Sequence, residues 1–237
     1  MPGAPDPAPH PAPADRLALD LEGERIELLA ARAAWWPARR TLLVADIHLG
    51  KADALRAVGA ALPHQAILER QLRQLDALVA CVDARRLLIL GDVLHAAVGL
   101  TDELVGAVEA WAAATPVRLE AVRGNHDRAL DRVASRWRMT LHPDLHAEGP
   151  FDFTHHPPSA VPDRFTWCGH LHPAVSIGSR AAPVKLHCFV LDARVAVLPA
   201  FTLFASGKTL PAAPGRRIVA IAQDSLFELP GRHAASR

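Results

Sequence analysis

The first half of the chain alternates short apolar runs with longer amphipathic segments. Three apolar runs have the length of buried strands: 41–45, 86–90 and 117–122. Between them, residues 64–82 carry apolar side chains at helical spacing, with a polar opposite face. A second helix is predicted to begin after Thr101, a good N-cap residue, and to end before Pro116. The order strand, helix, strand, helix, strand is typical of an α/β sheet, whose ligand site lies beyond the carboxyl ends of its strands.

The flanking segments are predicted to be strands as well. Residues 17–21 and 25–29 flank a Glu-Gly-Glu turn, which predicts a β-hairpin. Six short apolar runs separated by turn residues predict a β-rich, more antiparallel second half: 139–142, 150–154, 165–168, 174–177, 184–191 and 194–198. Because no repeat or long linker divides the chain, we expect one domain over residues 16–230. It would lie between a disordered Pro/Ala-rich tail at 1–15 and a C-terminal tail at 231–237.

Composition narrows the class of protein. The 237 residues are 50% hydrophobic and 22% charged, which excludes a collagen-like, coiled-coil or largely disordered chain. The net charge of +1 gives no bulk basic field for nucleic acid. Three cysteines without CxxC spacing argue against a disulfide framework and favour a reducing, cytoplasmic compartment. No signal peptide and no apolar stretch long enough to cross a membrane is present, so we expect no membrane partner.

The thirteen histidines matter most, because histidine is the commonest metal ligand. Five polar clusters each follow a strand-like run: Asp46-Ile-His48, Gly91-Asp92, Gly124-Asn125-His126-Asp127, His155-His156 and Gly169-His170-Leu-His172. Each cluster alone is weak, and Gly-Asp is a common turn. Together they form a mixed nitrogen and oxygen ligand set, which suits a pair of manganese, iron, zinc or cobalt ions. A shared carboxylate would hold such ions about 3.5–4 Å apart, the spacing of two-metal phosphoryl chemistry.

The five clusters, in this order, resemble the D-x-H, GD, GNH[DE], H and GHxH signature of the calcineurin-like metallophosphoesterases. The match spans residues 46–172. Within that superfamily, three segments resemble the PdeM group of DNA-ligase-associated metallophosphoesterases, described as DNA-damage-response endonucleases: 42–52, 91–95 and 198–201. The resemblance implies a four-layer αββα sandwich with two mixed β-sheets. It also implies a metal-dependent phosphodiesterase that acts on DNA beside an ATP-dependent DNA ligase and a helicase, and it is compatible with a homodimer.

The resemblance also implies roles for individual residues. The implied metal ligands are Asp46, His48 and His172 for the first ion, Asp92 as the bridge, and Asn125, His155 and His170 for the second. The two ions, most readily manganese, would activate the water that attacks phosphorus. His126 would act as general acid or electrostatic stabiliser at the leaving oxygen, oriented by a carboxylate such as Asp46 or Asp127. Because His155 and His156 are adjacent, either can be the ligand. We favour His155, which comes first after its strand.

Other polar and aromatic residues leave alternatives open. Lys51, Arg56, His95 and His156 are candidates for substrate contacts, against the simpler reading of solvated loop side chains. Trp35 and Trp36 are predicted to pack on the sheet, although aromatic rings can also stack on bases. The remaining histidines are assigned no role: His10, His64, His142, His146, His187 and His233. Two further functions stay open, a small-molecule phosphodiesterase for nucleotides or cyclic nucleotides, and a non-catalytic module of a repair complex.

Overall fold

The computed structural model describes residues 15–179, 182–202, 204–211 and 213–230. A first sheet is built from seven strands in sequence order: β1 (Arg16–Leu21), β2 (Glu24–Leu29), β3 (Ala33–Trp36), β4 (Thr41–Val44), β5 (Arg86–Leu90), β6 (Arg118–Val122) and β7 (Met139–His142). Neighbours from β1 to β4 are antiparallel, whereas β4, β5, β6 and β7 are parallel. The parallel half therefore brings the carboxyl ends of its strands to one edge.

A second mixed sheet is formed by the rest of the chain. Its strands are β8 (Leu145–Glu148), β9 (Phe151–Thr154), β10 (Phe165–Cys168), β11 (Pro173–Ser179), β12 (Ala182–Leu191), β13 (Val195–Val197), β14 (Lys208–Thr209), β15 (Arg217–Ala222) and β16 (Ser225–Leu229). The main path runs β14-β11-β12-β13-β10-β9-β8, and β15 pairs with β12 and β16. Strand β10 is parallel to both β9 and β13. The carboxyl ends of β9 and β10 thus point the same way.

Three α-helices accompany the first sheet: α1 (Lys51–Ala57), α2 (His64–Val82) and α3 (Asp102–Ala114). The apolar faces of α2 and α3 join one face of the first sheet in a single buried cluster that contains Leu75, Val108 and Leu87. The opposite face of that sheet packs on the second sheet. Alternating residues of each strand point to opposite faces, so each strand contributes to both layers.

The predicted strands and helices of the first half are confirmed, with α2 at residues 64–82. Thr101 caps α3 by accepting the backbone N–H of Leu104. Trp35 and Trp36 lie in β3, and both are buried in the core. The α/β sandwich of two mixed sheets is likewise confirmed.

Four features differ from the sequence expectation. Residues 139–142 form the parallel edge strand of the first sheet, and the second sheet has a parallel core, because strand partners are chosen by tertiary packing. The strands β3, β8, β14, β15 and β16 and the helix α1 were not predicted. Within the described residues, α-helices cover only the first sheet, since all three lie between residues 51 and 114. On the other face of the second sheet lies an apolar cluster that contains Cys168 and Cys188, with Leu210 packed against it.

The predicted tails, apart from Asp15, lie outside the described residues. Asp15 itself accepts backbone hydrogen bonds from Ala30 and Leu226. No helix in the described part of the chain has the length and hydrophobicity needed to span a membrane.

Candidate metal centre

All five polar clusters meet at one edge of the sandwich. The loops after β4, β5 and β6 of the first sheet carry Asp46, Asp92 and Asn125, and the loops after β9 and β10 of the second carry His155 and His170. Parallel strands from both sheets therefore bring together, at one edge, polar clusters that are far apart in the sequence.

Sharp backbone turns aim these side chains inwards. Five of the predicted ligands have left-handed backbone, with φ between 46° and 66°: Asp46, His48, Asp92, His170 and His172. A non-glycine residue in this region costs on the order of 1–3 kcal/mol and persists only where the surroundings enforce it. Such strain concentrated in one cluster is typical of a functional site.

Two glycines allow the loops to approach each other closely. A Cβ atom on Gly91, whose φ is +79°, would lie 2.2 Å from Nδ1 of His155. A Cβ on Gly124 would lie 2.2 Å from both the backbone nitrogen and Oδ1 of Asp92. The glycines of the Gly-Asp and Gly-Asn-His-Asp clusters are therefore required by packing against the site itself.

The side chains form two sets on either side of Asp92. In the first, Nε2 of His172 lies 3.3 Å from Oδ1 of Asp46 and 3.3 Å from Nε2 of His48. In the second, Nε2 of His155 lies 3.0 Å from Oδ1 of Asn125 and 3.2 Å from Nδ1 of His170.

Asp92 faces both sets at once. Its Oδ2 lies 3.8 Å from Nε2 of His48, and its Oδ1 lies 3.4 Å from Nε2 of His155. The carboxylate thus presents one oxygen to each set, an arrangement that would allow it to bridge two ions.

The chemistry of the donor atoms fits metal ions. Burial lowers the pKa of His48 to about 3 and also lowers the pKa values of His155 and His170, which keeps these rings in the neutral, ligating form. Asp46 and Asp92 are almost fully buried. Among the described residues, neither forms an ion pair with a lysine or arginine, and their charge-pair partners within 4.0 Å are all histidines. Burial raises the pKa of Asp92, and metal ions in the two sets would supply the positive charge that favours its ionised form.

The geometry distinguishes the adjacent histidines. His155 is buried, and its Nδ1 donates to the carbonyl oxygen of Leu90, so its Nε2 is left as a lone-pair donor towards Asn125 and Asp92. His156 is exposed and packs edge to face against His170, with ring centroids 4.2 Å apart. These positions support His155 as the ligand, although His156 is close enough to His155 and His170 to share an ion with them.

His126 lies beside this centre, with Nε2 4.0 Å from Oδ2 of Asp92. Its Nδ1 contacts the backbone oxygen of His95 at 2.6 Å, and since a carbonyl only accepts, Nδ1 carries the hydrogen. The expectation that Asp46 or Asp127 orients this ring is therefore wrong. Asp127 instead accepts two backbone amides, and Asp46 accepts the backbone amide of His170.

The four candidate substrate contacts occupy different positions. His95 is half-buried with its ring centroid 5.5 Å from those of both His48 and His126. Lys51 begins α1 and donates to the carbonyl of Phe204, and burial lowers its pKa. His156 is exposed at the mouth of the second set. Arg56 is exposed on the last turn of α1, and none of the described hydrogen bonds or ion pairs joins it to the centre.

Sequence reasoning missed several groups that hold the loops in place. The carbonyls of Leu90 and His95 orient two rings, but a backbone carbonyl has no residue signature. Gln71 is buried on α2 and donates to the carbonyl of Ile47, which lies between the candidate ligands Asp46 and His48. A single glutamine in an amphipathic helix gives no sequence signal for this role. Asp127 bonds the amides of Leu94 and Gly124, which ties two metal loops together.

Comparison with known proteins places this centre in a family. No protein-family model matches the chain, and neither does any curated protein. Among solved structures, the nuclease MPE of Pseudomonas putida is 31% identical, with a TM-score of 0.78 over 91% of this chain and 100% of that one. The E. coli phosphoesterase YfcE is 16% identical over 81% of this chain and 99% of its own, with a TM-score of only 0.42. Similarity to MPE over its whole length shows that the chain belongs to the metallophosphoesterase superfamily and is a phosphoester hydrolase.

Proposed function

We propose that this hydrolase is a DNA endonuclease that requires two divalent metal ions, most readily manganese, with iron, zinc or cobalt as alternatives. The observation that carries the proposal is the position of Asp92 between two ligand sets, with one oxygen towards His48 and the other towards His155. Similarity to a nuclease over 91% of the chain supports DNA as the substrate. When bound, the ions would supply Lewis-acid chemistry, which makes an attacking water more acidic and offsets charge on the phosphoryl oxygens.

Each set offers the ions a distinct group of residues. Asp46, His48 and His172 would hold the first ion, and Asn125, His155 and His170 the second. Borderline dications accept such mixtures of imidazole, carboxylate and amide oxygen, whereas a thiolate site would need cysteines. The buried cysteines Cys168 and Cys188 face away from the site, in the apolar cluster beyond the second sheet.

His126 is suited to protonate the leaving oxygen. Because Nδ1 is committed to the carbonyl of His95, only Nε2 can deliver a proton towards the centre, and it does so from the imidazolium form. The side chain is 40% exposed, so solvent can return the proton after each turnover.

The residues around the mouth would bind the phosphodiester backbone. His95 and Lys51 border the first set, and His156 borders the second. A DNA strand lying across the centre would therefore meet hydrogen-bond donors on both sides. Arg56 would reach only DNA that extends beyond α1.

Closed circular single-stranded DNA tests this proposal directly, because an exonuclease has no end to attack. We expect manganese-dependent linearisation by the wild-type protein. Asp92→Asn should lose both activity and metal, whereas His126→Ala should lose activity but keep the metal. Cleavage of bis-p-nitrophenyl phosphate or cyclic nucleotides without any cleavage of DNA would instead establish a small-molecule phosphodiesterase. Binding of DNA without hydrolysis of any of these substrates would establish a non-catalytic module.

The cellular setting is proposed on the resemblance to ligase-associated enzymes. We propose that the protein works in the cytoplasm with an ATP-dependent DNA ligase and a helicase, and that it forms a homodimer. Genes for a ligase and a helicase beside this one, and sensitivity to DNA-damaging agents on its deletion, would support the repair role. Light scattering at working concentration would decide between monomer and dimer.

A further inference from the structure

A second cluster of metal-ligating side chains lies apart from the metal centre and shares none of its residues. It consists of Glu120, His142 and His146, whose ligand atoms all lie within 4.8 Å of one another. We call it the edge cluster, because β7 and β8 are the edge strands of the two sheets and are joined by a two-residue turn. Neither histidine has a role in the proposed nuclease chemistry.

Strand register explains why these side chains meet. His142 pairs with Val122, and Val122 packs in the core between the sheets, so Glu120 and His142 face the second sheet. His146 pairs with Phe153, another residue of that core, so it faces the first sheet. The strands β6, β7 and β8, from both sheets, therefore each contribute one side chain to the edge cluster.

The distances match those of a ligand set. Nε2 of His142 lies 3.0 Å from Oε2 of Glu120, and the rings of His142 and His146 are stacked with centroids 4.1 Å apart. Donor atoms around a tetrahedral zinc ion, each about 2.0–2.1 Å from the metal, are separated by about 3.3 Å. Small side-chain rotations would bring all three donors to that spacing.

The charges leave Glu120 available for a cation. Arg86 is almost buried and makes its close contact, 2.5 Å, with Glu148, whereas Oε1 of Glu120 is 3.8 Å away. Glu148 also pairs with Arg39 at 3.6 Å and lies 3.3 Å from Nε2 of His146. Arg86 is therefore held closer to Glu148, and Oε2 of Glu120 faces Nε2 of His142.

We propose that Glu120, His142 and His146 bind one divalent transition-metal ion, with Zn²⁺ the best match, at the junction of the two sheets. Two imidazoles and a carboxylate suit zinc, which commonly takes three protein ligands and one water. The three side chains are 11–21% exposed, which gives an ion access from solvent. The bound ion would stabilise the fold by connecting β6, β7 and β8.

Zinc binding to the full-length protein tests the proposal. After chelator stripping and equilibration with zinc alone, we expect wild-type protein to retain one more equivalent by elemental analysis than His142→Ala/His146→Ala. Phosphodiesterase activity should be unchanged in that variant. Equal stoichiometry in the two folded proteins would overturn the proposal.

A matched pair of single substitutions sharpens the test. Glu120→Gln removes a proposed ligand, and we expect the affinity of this site for zinc to fall by at least about 100-fold. Loss of a residue that only hydrogen-bonds to a metal ligand costs up to about 100-fold, so loss of a ligand itself should cost at least as much. Glu148→Gln alters a neighbouring carboxylate that also contacts Arg86 and a histidine, yet it should retain the ion. Equal affinities in the two variants would contradict Glu120 as a ligand. If a variant does not fold, anomalous diffraction at the zinc edge from wild-type crystals decides, since no peak between Glu120 and the histidines would overturn the proposal.

Discussion

Replacing Gly91 with alanine would place a methyl group against the ring of His155. The new Cβ would lie 2.2 Å from Nδ1 and 2.4 Å from Cγ of that ring. Non-bonded heavy atoms normally sit about 3.5–4.0 Å apart, so the ring must move by more than about 1 Å. That movement would break the 3.0 Å hydrogen bond between Nδ1 and the carbonyl of Leu90, and displace Nε2 from Asn125 and Asp92.

The cost of Gly91→Ala has two parts. Leaving a buried hydrogen-bonding group without its partner costs about 1–3 kcal/mol. Forcing alanine into the left-handed backbone, at φ +79°, costs about 1–2 kcal/mol more. We therefore expect the free energy of unfolding to fall by about 2–5 kcal/mol. Because a misplacement of about 1 Å in a catalytic site costs about 100-fold in rate, turnover should fall by a similar factor.

Gly23→Ala is the matched control. Gly23 has φ +81° in the β1–β2 turn, but a Cβ there meets nothing within 4 Å. It should therefore lose only about 1–2 kcal/mol of stability, from backbone strain, and keep full activity. Thermal unfolding and hydrolysis of bis-p-nitrophenyl phosphate at saturating manganese measure both effects. If Gly91→Ala behaved like Gly23→Ala in both assays, the placement of His155 against Gly91 would be refuted.

Three further outcomes are expected. Asp127→Ala removes the carboxylate that accepts backbone hydrogen bonds from Leu94 and Gly124, in the loops after β5 and β6. Stability should fall by about 1–3 kcal/mol per unsatisfied amide, and activity should fall with it. Unchanged thermal unfolding would contradict this role. Trp36→Ala empties a fully buried site and should cost about 3–5 kcal/mol by denaturant unfolding, whereas weaker DNA binding with normal stability would favour base stacking. Burial raises the pKa of Cys188 to about 12 and also raises that of Cys168, so both thiols stay protonated at mildly alkaline pH. Only Cys81 should react with a disulfide reagent in the folded enzyme, and rapid reaction of all three would show that those pKa values are wrong.

Much of the candidate site was predictable because its proposed ligands follow strands whose periodicity is clear. Asp46, Asp92 and Asn125 each come directly after a buried parallel strand, and parallel strands end at one edge. The order of polar clusters along the chain therefore maps onto neighbouring loops in space.

Other features depend on tertiary contacts, which cannot be predicted from the sequence of any single segment. Residues 139–142 read as one more strand of the β-rich half, but their partner is β6, and only packing between the sheets decides this. The ring of His126 is oriented by a backbone carbonyl rather than by the expected carboxylate. The edge cluster joins residues from three strands, and His142 and His146 gave no metal-binding signal without the register of both sheets.

Manganese titration of the metal-free enzyme, followed by electron paramagnetic resonance and activity in the same samples, tests the central proposal most directly. If Asp92 bridges two sites, activity should reach its plateau at two equivalents, together with a spectrum of two coupled ions, and Asp92→Asn should abolish the coupling. A plateau at one equivalent with an uncoupled single-ion spectrum would contradict the two-metal centre.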